Sequence, residues 1–238
     1  MARDQALLDL AEQDGTATLR LYRWEPHCIS FGRNEPATRR YDRNLISNLE
    51  LDCVRRPTGG RAVWHARELT YSVAAPLELF GSLSAAYQQI HQMLASAIGM
   101  LGVSPTLAAR PERATGVAAG PCFAGPAGGE VMVGSRKVIG SAQLQQGSAF
   151  LQHGSLLLGD DQSIMHQVTR GEVPESRAAP LSTMLARPVE FDEAAGAIER
   201  AARSWTSDWS GPEAAGNLES LARLHEDQFR SEQWTWSR

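Results

Sequence analysis

The chain of 238 residues is 42% apolar and 21% charged, long enough to bury one large core and too ordinary in composition for a disordered or fibrous protein. A net charge of -4 without a long basic run disfavours nucleic acid as a partner. Cys28, Cys53 and Cys122 are too few and too scattered for a disulfide framework or a C-x-x-C zinc pair. Charges interrupt the first apolar stretch, so neither a signal peptide nor a membrane span is expected and the cytoplasm is the expected compartment.

In chain order, Leu7, Leu8 and Leu10 predict a short helix ending before Gly15. Thr16 to Trp24 alternates as a strand, and Cys28 to Gly32 reads as a second one after Pro26. Arg39 to Leu49 has helical spacing. Cys53 to Pro76 enters on an apolar run, bends at Pro57 to Gly60 and leaves strand-wise to Val73. The clearest helix is Ser82 to Leu101, capped by Ser82 or Ser84 and ended by Gly102. Pro105 to Pro126 is a long loose stretch of the kind that is mobile or functional. Glu130 to Val133 and Lys137 to Gln143 form a hairpin across Gly134-Ser135, and Ser148 to Leu158 is a further strand. Asp192 to Trp205, with Asp192 as cap, and Leu218 to Phe229 are helical. The expected organisation is a mostly β core over residues 1–187 and a small helical extension over 188–238 packed on it.

Three blocks carry groups suited to chemistry. In the first, Gly59 and Gly60 permit a bend that approaches a ligand closely, and Arg55, Arg56 and Arg61 bracket it with forked donors. The loop lacks the Lys-Ser/Thr ending of a P-loop and the spacing of a dinucleotide fingerprint. In the second, Cys122 lies in a loop and Lys137 opens a strand. A thiol of pKa about 8.5 is roughly 3% thiolate at pH 7, and a cation lowering it to about 7 raises this about fifteen-fold. The same cation can stabilise the oxyanion formed on a carbonyl. A lone cysteine is also commonly an inert buried residue, which is how Cys28 and Cys53 read, and a strand-end lysine is commonly solvated. In the third, His153 before Gly154 sits in a strand, where a histidine serves equally as a bonded core residue; His65 carries the same ambiguity. His27, His91, His166 and His225 show no partner pattern and read as structural. His65, His153 and Cys122 have no ligand spacing for zinc.

Taken together, Arg55-Arg-Pro-Thr-Gly-Gly-Arg-Ala-Val-Trp-His65 with Glu68 to Val73, Lys137-Val-Ile-Gly-Ser-Ala-Gln143, and Gln152-His-Gly-Ser-Leu156 resemble the lipoate and biotin protein ligase and octanoyltransferase superfamily. The resemblance spans about Leu19 to Leu158, and Glu232-Gln-Trp234 resembles the ending of one branch. It implies an α+β fold, a mixed and largely antiparallel β-sheet core flanked by helices. Arg61 where ATP-using ligases usually have a third glycine, and Cys122 fifteen residues before Lys137, are similar to the cysteine–lysine type of octanoyl-[acyl-carrier-protein]:protein octanoyltransferase. The chain departs from that pattern at Ala127-Gly-Gly-Glu130, which lacks an aromatic, and at Leu144-Gln145, which replaces a basic pair.

This branch implies that Cys122 takes an octanoyl group from octanoyl-acyl-carrier protein and passes it to a lysine of a lipoyl domain. The acceptors implied are the glycine cleavage H protein and the E2 subunits of 2-oxoacid dehydrogenases. Lys137 would be the second catalytic group. Arg56, Thr58, Gly59, Gly60, Arg61, His65, Tyr71, Gly140, Ser141, Gln143, His153 and Gly154 would form the substrate site. No cofactor or metal is implied. ATP enters only under the alternative of a lipoate–protein ligase; amidotransfer between lipoyl domains and a non-catalytic acyl-binding protein are further alternatives.

Overall fold

The computed structural model describes residues 1–108, 129–172, 178–211 and 217–238. The chain runs through α1 (Ala2–Asp14), β1 (Thr18–Tyr22), β2 (Cys28–Phe31), α2 (Ala37–Arg40), α3 (Arg43–Asn48), β3 (Asp52–Arg55), β4 (Val63–His65) and β5 (Glu68–Pro76). The long helix α4 (Leu83–Met100) precedes β6 (Thr106–Leu107), β7 (Val131–Val133), β8 (Arg136–Lys137), β9 (Ile139–Gln146) and β10 (Ala149–Leu157). Five helices follow: α5 (Ile164–Val168), α6 (Leu181–Leu185), α7 (Phe191–Ala202), α8 (Leu218–Arg230) and α9 (Glu232–Thr235).

The main sheet has the order β1-β5-β10-β9 and is antiparallel throughout. A smaller sheet, β3-β2-β4, pairs β2 parallel to β3 and antiparallel to β4. Every residue of β5 and β10 is buried, because both faces of the main sheet are covered. Side chains alternate across a strand, so Leu69, Tyr71, Val73 and Ala75 join the core under α4, while Ala74 joins Leu7, Leu8 and Ala11 of α1 on the other face. On α4 the Ser82 hydroxyl accepts from Ala85 N at 3.1 Å, and Ile90, Met93, Leu94, Ala97 and Ile98 are buried against the sheet and α7. Burying each of the large apolar side chains among them stabilises by about 1.5–3 kcal/mol, which holds α4 in place. The fold is thus α+β, a largely antiparallel sheet flanked by helices, and among the described residues no helix is long and apolar enough to cross a membrane.

The C-terminal helices are spread over the body. α7 contributes Ala194, Ala197, Ile198 and Ala201 to the core under the main sheet, α8 packs on α1, and α9 packs on β3.

Several elements differ from the periodicity reading for identifiable reasons. The helix expected over Arg39 to Leu49 is two helices. Asp42 interrupts it by accepting from Asn44 N and Leu45 N as an N-cap, and Tyr41 bridges Thr169 in extended form. The strand leaving the arginine–glycine loop is also two, because the chain crosses at Ala66-Arg67 from the small sheet to the main one. Arg67 is pinned there by its N–H to Asp161 and its carbonyl to Leu158 N and Gly159 N. The hairpin from β7 turns at Gly134-Ser135 as expected, with Val133 opposite Arg136. Its return strand breaks after Lys137, where pairing changes from β7 to β10. Asp192 lies inside the first turn of α7; Glu190 holds the N-cap position.

Candidate active site

Four strands set the floor of a cleft. Tyr22, Thr70, Ser155 and Gly140 lie in register from β1 across β5 and β10 to β9. Val63, His65, Arg56 and Gly60, from β4 and the arginine–glycine loop, stand over this row, and Trp24 closes one side. The cleft is open at its mouth, and its non-atom space of about 370 Å³ includes open solvent. Its polar side chains are largely spent on one another. Thr70 Oγ1 donates to Glu68 and accepts from Trp24 Nε1 at 2.8 Å, and Ser155 Oγ donates to Glu68 Oε2 at 2.6 Å. The surface left for a ligand is mainly apolar.

Two buried chains of acid, imidazole and hydroxyl hold the loop over this floor. In one, Asp4 on α1 accepts from Arg20 Nη1 (2.7 Å), Tyr22 Oη (2.9 Å), Ser72 Oγ (3.1 Å) and His153 Nδ1 (3.2 Å). Burial opposes ionisation of Asp4, but these donors and the surrounding positive charge outweigh it and hold the carboxyl well below the usual carboxylate range. Burial also lowers the pKa of His153, so the ring is neutral, gives Nδ1–H to Asp4 and accepts the Thr58 hydroxyl at Nε2, 2.6 Å away. In the other, His65 Nε2 meets Ser30 Oγ at 2.6 Å. Its Nδ1 stands 3.4 Å from Glu68 Oε1, in ion-pair range but without a well-formed hydrogen bond. Burial lowers this pKa too, and the ring stacks on Trp24 with centroids 4.3 Å apart.

The arginines of the loop brace the backbone. Arg55 is fully buried and donates to Gly32 O at 2.6 Å, Glu35 O at 3.0 Å, and the carbonyls of Trp234 and Thr235, tying α9 to the small sheet. Arg56 donates through Nη1 to Ser30 O and Oγ, and through Nη2 to Gly59 O (3.1 Å) and Arg61 O (2.9 Å), so it both lines the cleft and fixes the bend. Gly60 has φ +91°, a left-handed conformation suited to glycine. Gly32 lies so close beneath that a Cβ on it would drive into the Gly60 carbonyl.

Of the substrate-site residues expected from the sequence, Arg56, Gly60, His65, Gly140, Ser141, His153 and Gly154 line this cleft. Thr58, Gly59 and Arg61 belong to the loop above it. Tyr71 and Gln143 lie behind the floor on the α4 side, bonded to Ser141 and to Gln152 respectively. Lys137 is buried at the entry to β9, its ammonium paired with Glu130 Oε1 at 2.5 Å. Cys122 lies outside the described residues. Cys28 and Cys53 are pushed up by burial, Cys53 to about 12, which keeps both as unreactive thiols. Among the described residues no group of three His, Cys, Asp or Glu side chains could hold a metal ion.

Residue types and spacing did not single out Asp4, Trp24, Glu68, Glu130 or His91. Asp4 and His91 carried one signal: each falls among the apolar residues on the buried side of its helix. The other three reach the site only through strand pairing and chain crossing.

Residues 1–203 match the lipoyl protein ligase A/B catalytic domain. The chain belongs to that family. It is 33% identical over 259 residues to octanoyltransferase LipM of Exiguobacterium sibiricum, covering all of this chain and 94% of the relative. It is 36% identical to octanoyltransferase LipM of Kyrpidia tusciae, over 85% of this chain and 77% of that one. A solved putative lipoate protein ligase from T. acidophilum, with bound lipoic acid, superposes with a TM-score of 0.78 at 21% identity, covering 99% and 92% of the two chains. The family's fold is therefore the fold of this chain.

Proposed function

We propose that the protein is an octanoyltransferase of protein lipoylation: it takes an octanoyl group from octanoyl-acyl-carrier protein as a thioester on Cys122 and delivers it to a lysine of a lipoyl domain. The observation that carries this reading is the end-to-end similarity to curated octanoyltransferases. The cleft agrees with it in length. Three strand spacings from β9 to β1 amount to about 14 Å. An extended octanoyl chain of seven C–C bonds spans about 9 Å. Its carbonyl then lies near Gly140 and Lys137 and its methyl end points toward Trp24.

The chemistry is two exchanges at one carbonyl. The Cys122 thiolate attacks the carrier thioester, the bond from carbonyl carbon to carrier sulfur breaks, and the carrier leaves as its thiol after taking a proton. The lysine amine, unprotonated, then attacks the enzyme thioester; the bond to Cys122 sulfur breaks, an amide forms, and the proton shed by nitrogen ends on the thiol. The first exchange is nearly balanced and the second is downhill, so no ATP is required. Splitting one transfer between two large proteins lets each dock alone. A buried ammonium such as that of Lys137, paired with Glu130, favours both the thiolate and the oxyanion. Acceptors on this reading are the glycine cleavage H protein and E2 lipoyl domains, in the cytoplasm.

Intact-mass analysis after incubation with octanoyl-carrier protein tests the proposal. A hydroxylamine-labile octanoyl adduct is expected on the wild type and none on Cys122→Ala. Full transfer by Cys122→Ala would refute the mechanism, and pyrophosphate release from ATP with free lipoate would assign a ligase instead.

A further inference from the structure

Charge is unevenly spread over this chain of net charge -4. Residues 33–43 carry Arg33, Arg39, Arg40 and Arg43 against two acids, and both acids are committed locally. Glu35 is buried, accepts the Tyr41 hydroxyl at 2.7 Å and the Gly32 N–H at 3.2 Å, and stands 3.5 Å from Arg40. Asp42 accepts from Asn44 N and Leu45 N as the cap of α3. Arg33, Arg39 and Arg170 are exposed, and among the described residues none of the three meets a carboxylate.

Backbone contacts gather these arginines on one surface at the cleft. Arg170 N donates to Arg40 O at 2.7 Å, beside the bridge from Tyr41 to Thr169, so residue 170 borders the end of α2, which carries Arg39. Glu172 follows by two residues and offsets one charge of the group. Arg33 N donates to Thr58 O at 2.8 Å, and Gly32 before it lies against the Gly60 carbonyl. A Cβ on Gly60 would stand 3.6 Å from that of Ala142 on β9, the edge strand, two residues from Gly140. Trp24 closes the cleft beyond β1, so the arginine surface borders the opposite, β9 end.

We propose that the face carrying Arg33, Arg39 and Arg170 docks the carrier protein of the octanoyl donor, through an acidic surface around its prosthetic arm. This rests on the acyltransferase reading above, which sets the thioester carbonyl near Gly140, and it adds where the first partner sits. The choice of donor over acceptor follows from charge. A carrier thioester hangs on a phosphopantetheine arm of thirteen bonds, about 16 Å from sulfur to phosphorus. Its phosphodiester anion therefore lies outside the cleft, on the side where the arginines are. The acceptor brings a lysine ammonium, which the same face repels. Exposed charges of this kind act on encounter, raising on-rates about 10- to 1000-fold for an oppositely charged partner, and salt screens them. None of the three side chains lines the cleft, so the chemistry at the carbonyl is indifferent to them.

The test compares two donors. Acylation of the full chain is timed with octanoyl-carrier protein and with octanoyl-N-acetylcysteamine, which has neither phosphate nor carrier. The variants are the triple charge reversal Arg33→Glu, Arg39→Glu, Arg170→Glu and the charge-keeping triple with lysine at the same positions. At low salt the reversal is expected to lower kcat/KM for the carrier substrate about 10- to 100-fold, and the lysine triple less than about three-fold. Both should stay within about two-fold of wild type on the small thioester, and about 0.5 M salt should close most of the carrier gap. Equal losses with both donors, or an unchanged carrier kcat/KM at low salt, would overturn the proposal. A loss confined to transfer from acyl-enzyme to a lipoyl domain would overturn it too, and would assign the face to the acceptor. If neither thioester acylates the wild type, the octanoyltransferase reading fails on its own. Fluorescence anisotropy of labelled carrier protein then decides the face: binding weakened by the reversal and kept by the lysine triple supports it, and equal binding overturns it.

Discussion

Replacing Asp4 by alanine removes one fully buried carboxylate on which Arg20, Tyr22, Ser72 and His153 converge. Arg20 and Tyr22 are half-buried and recover water as a partner. Ser72 and His153 are buried and do not, and each stranded donor costs about 1–3 kcal/mol. Breaking a buried pair by removing one member costs about 3–5 kcal/mol, and the two routes agree. In a chain of this size 1 kcal/mol moves the melting temperature by about 2–4 °C, so a fall of roughly 6–20 °C is expected. The Asp4 carboxyl titrates below its unfolded value, so its contribution is present above about pH 4 and is lost as pH falls further. Urea unfolding of the wild type and of Asp4→Ala at pH 7 and at pH 3 measures this: the gap should be widest at pH 7 and smaller by about 1 kcal/mol at pH 3, where the loss has begun and is far from complete. A loss under about 1 kcal/mol at pH 7, or a gap independent of pH, would refute the view that Asp4 anchors His153 and, through Thr58, the glycine loop.

His91 gives a prediction of related sign. Its folded pKa of about 4 lies below the unfolded value, so its contribution is complete above about pH 6.5 and fades as pH drops toward 4. His91→Gln should remove about 3 kcal/mol of the stability lost between pH 7 and pH 4, and an unchanged acid slope in urea unfolding would contradict a buried neutral ring. Gly32→Ala places a methyl against the Gly60 carbonyl, where only backbone can yield. It should shift the Gly59-Gly60 bend, cost about 1–3 kcal/mol and lower octanoyl transfer more than ten-fold with the circular dichroism spectrum retained. Wild-type melting temperature and transfer would show that the two strands are not in contact there.

The helix periodicity of Ser82 to Leu101, the hairpin at Gly134-Ser135 and the paired glycines after Pro57 were legible because each depends on residues close in sequence. Segment ends were less so. Asp42 split one helix and Arg67 one strand through bonds to partners that periodicity does not contain, Asp161 lying far along the chain. The roles of the arginines show the same limit. Three forked donors around a bend suggest a bound anion, yet Arg55 is committed to backbone carbonyls, two of them in α9 near the end of the chain.

By itself the sequence determined the family and the residue types available for acyl chemistry, because both reside in short ordered blocks: the arginine–glycine loop, the Lys137 strand and the His153 strand. Only the tertiary structure decided how those residues are used. Pairing in the main sheet carries Tyr22, Thr70, Ser155 and Gly140 into one row, and the packing of α1 and α4 brings Asp4 beneath His153 and His91 beside Ser141. Proton positions in those contacts are set by which neighbours can only accept, and that depends on distances between residues as much as 149 positions apart.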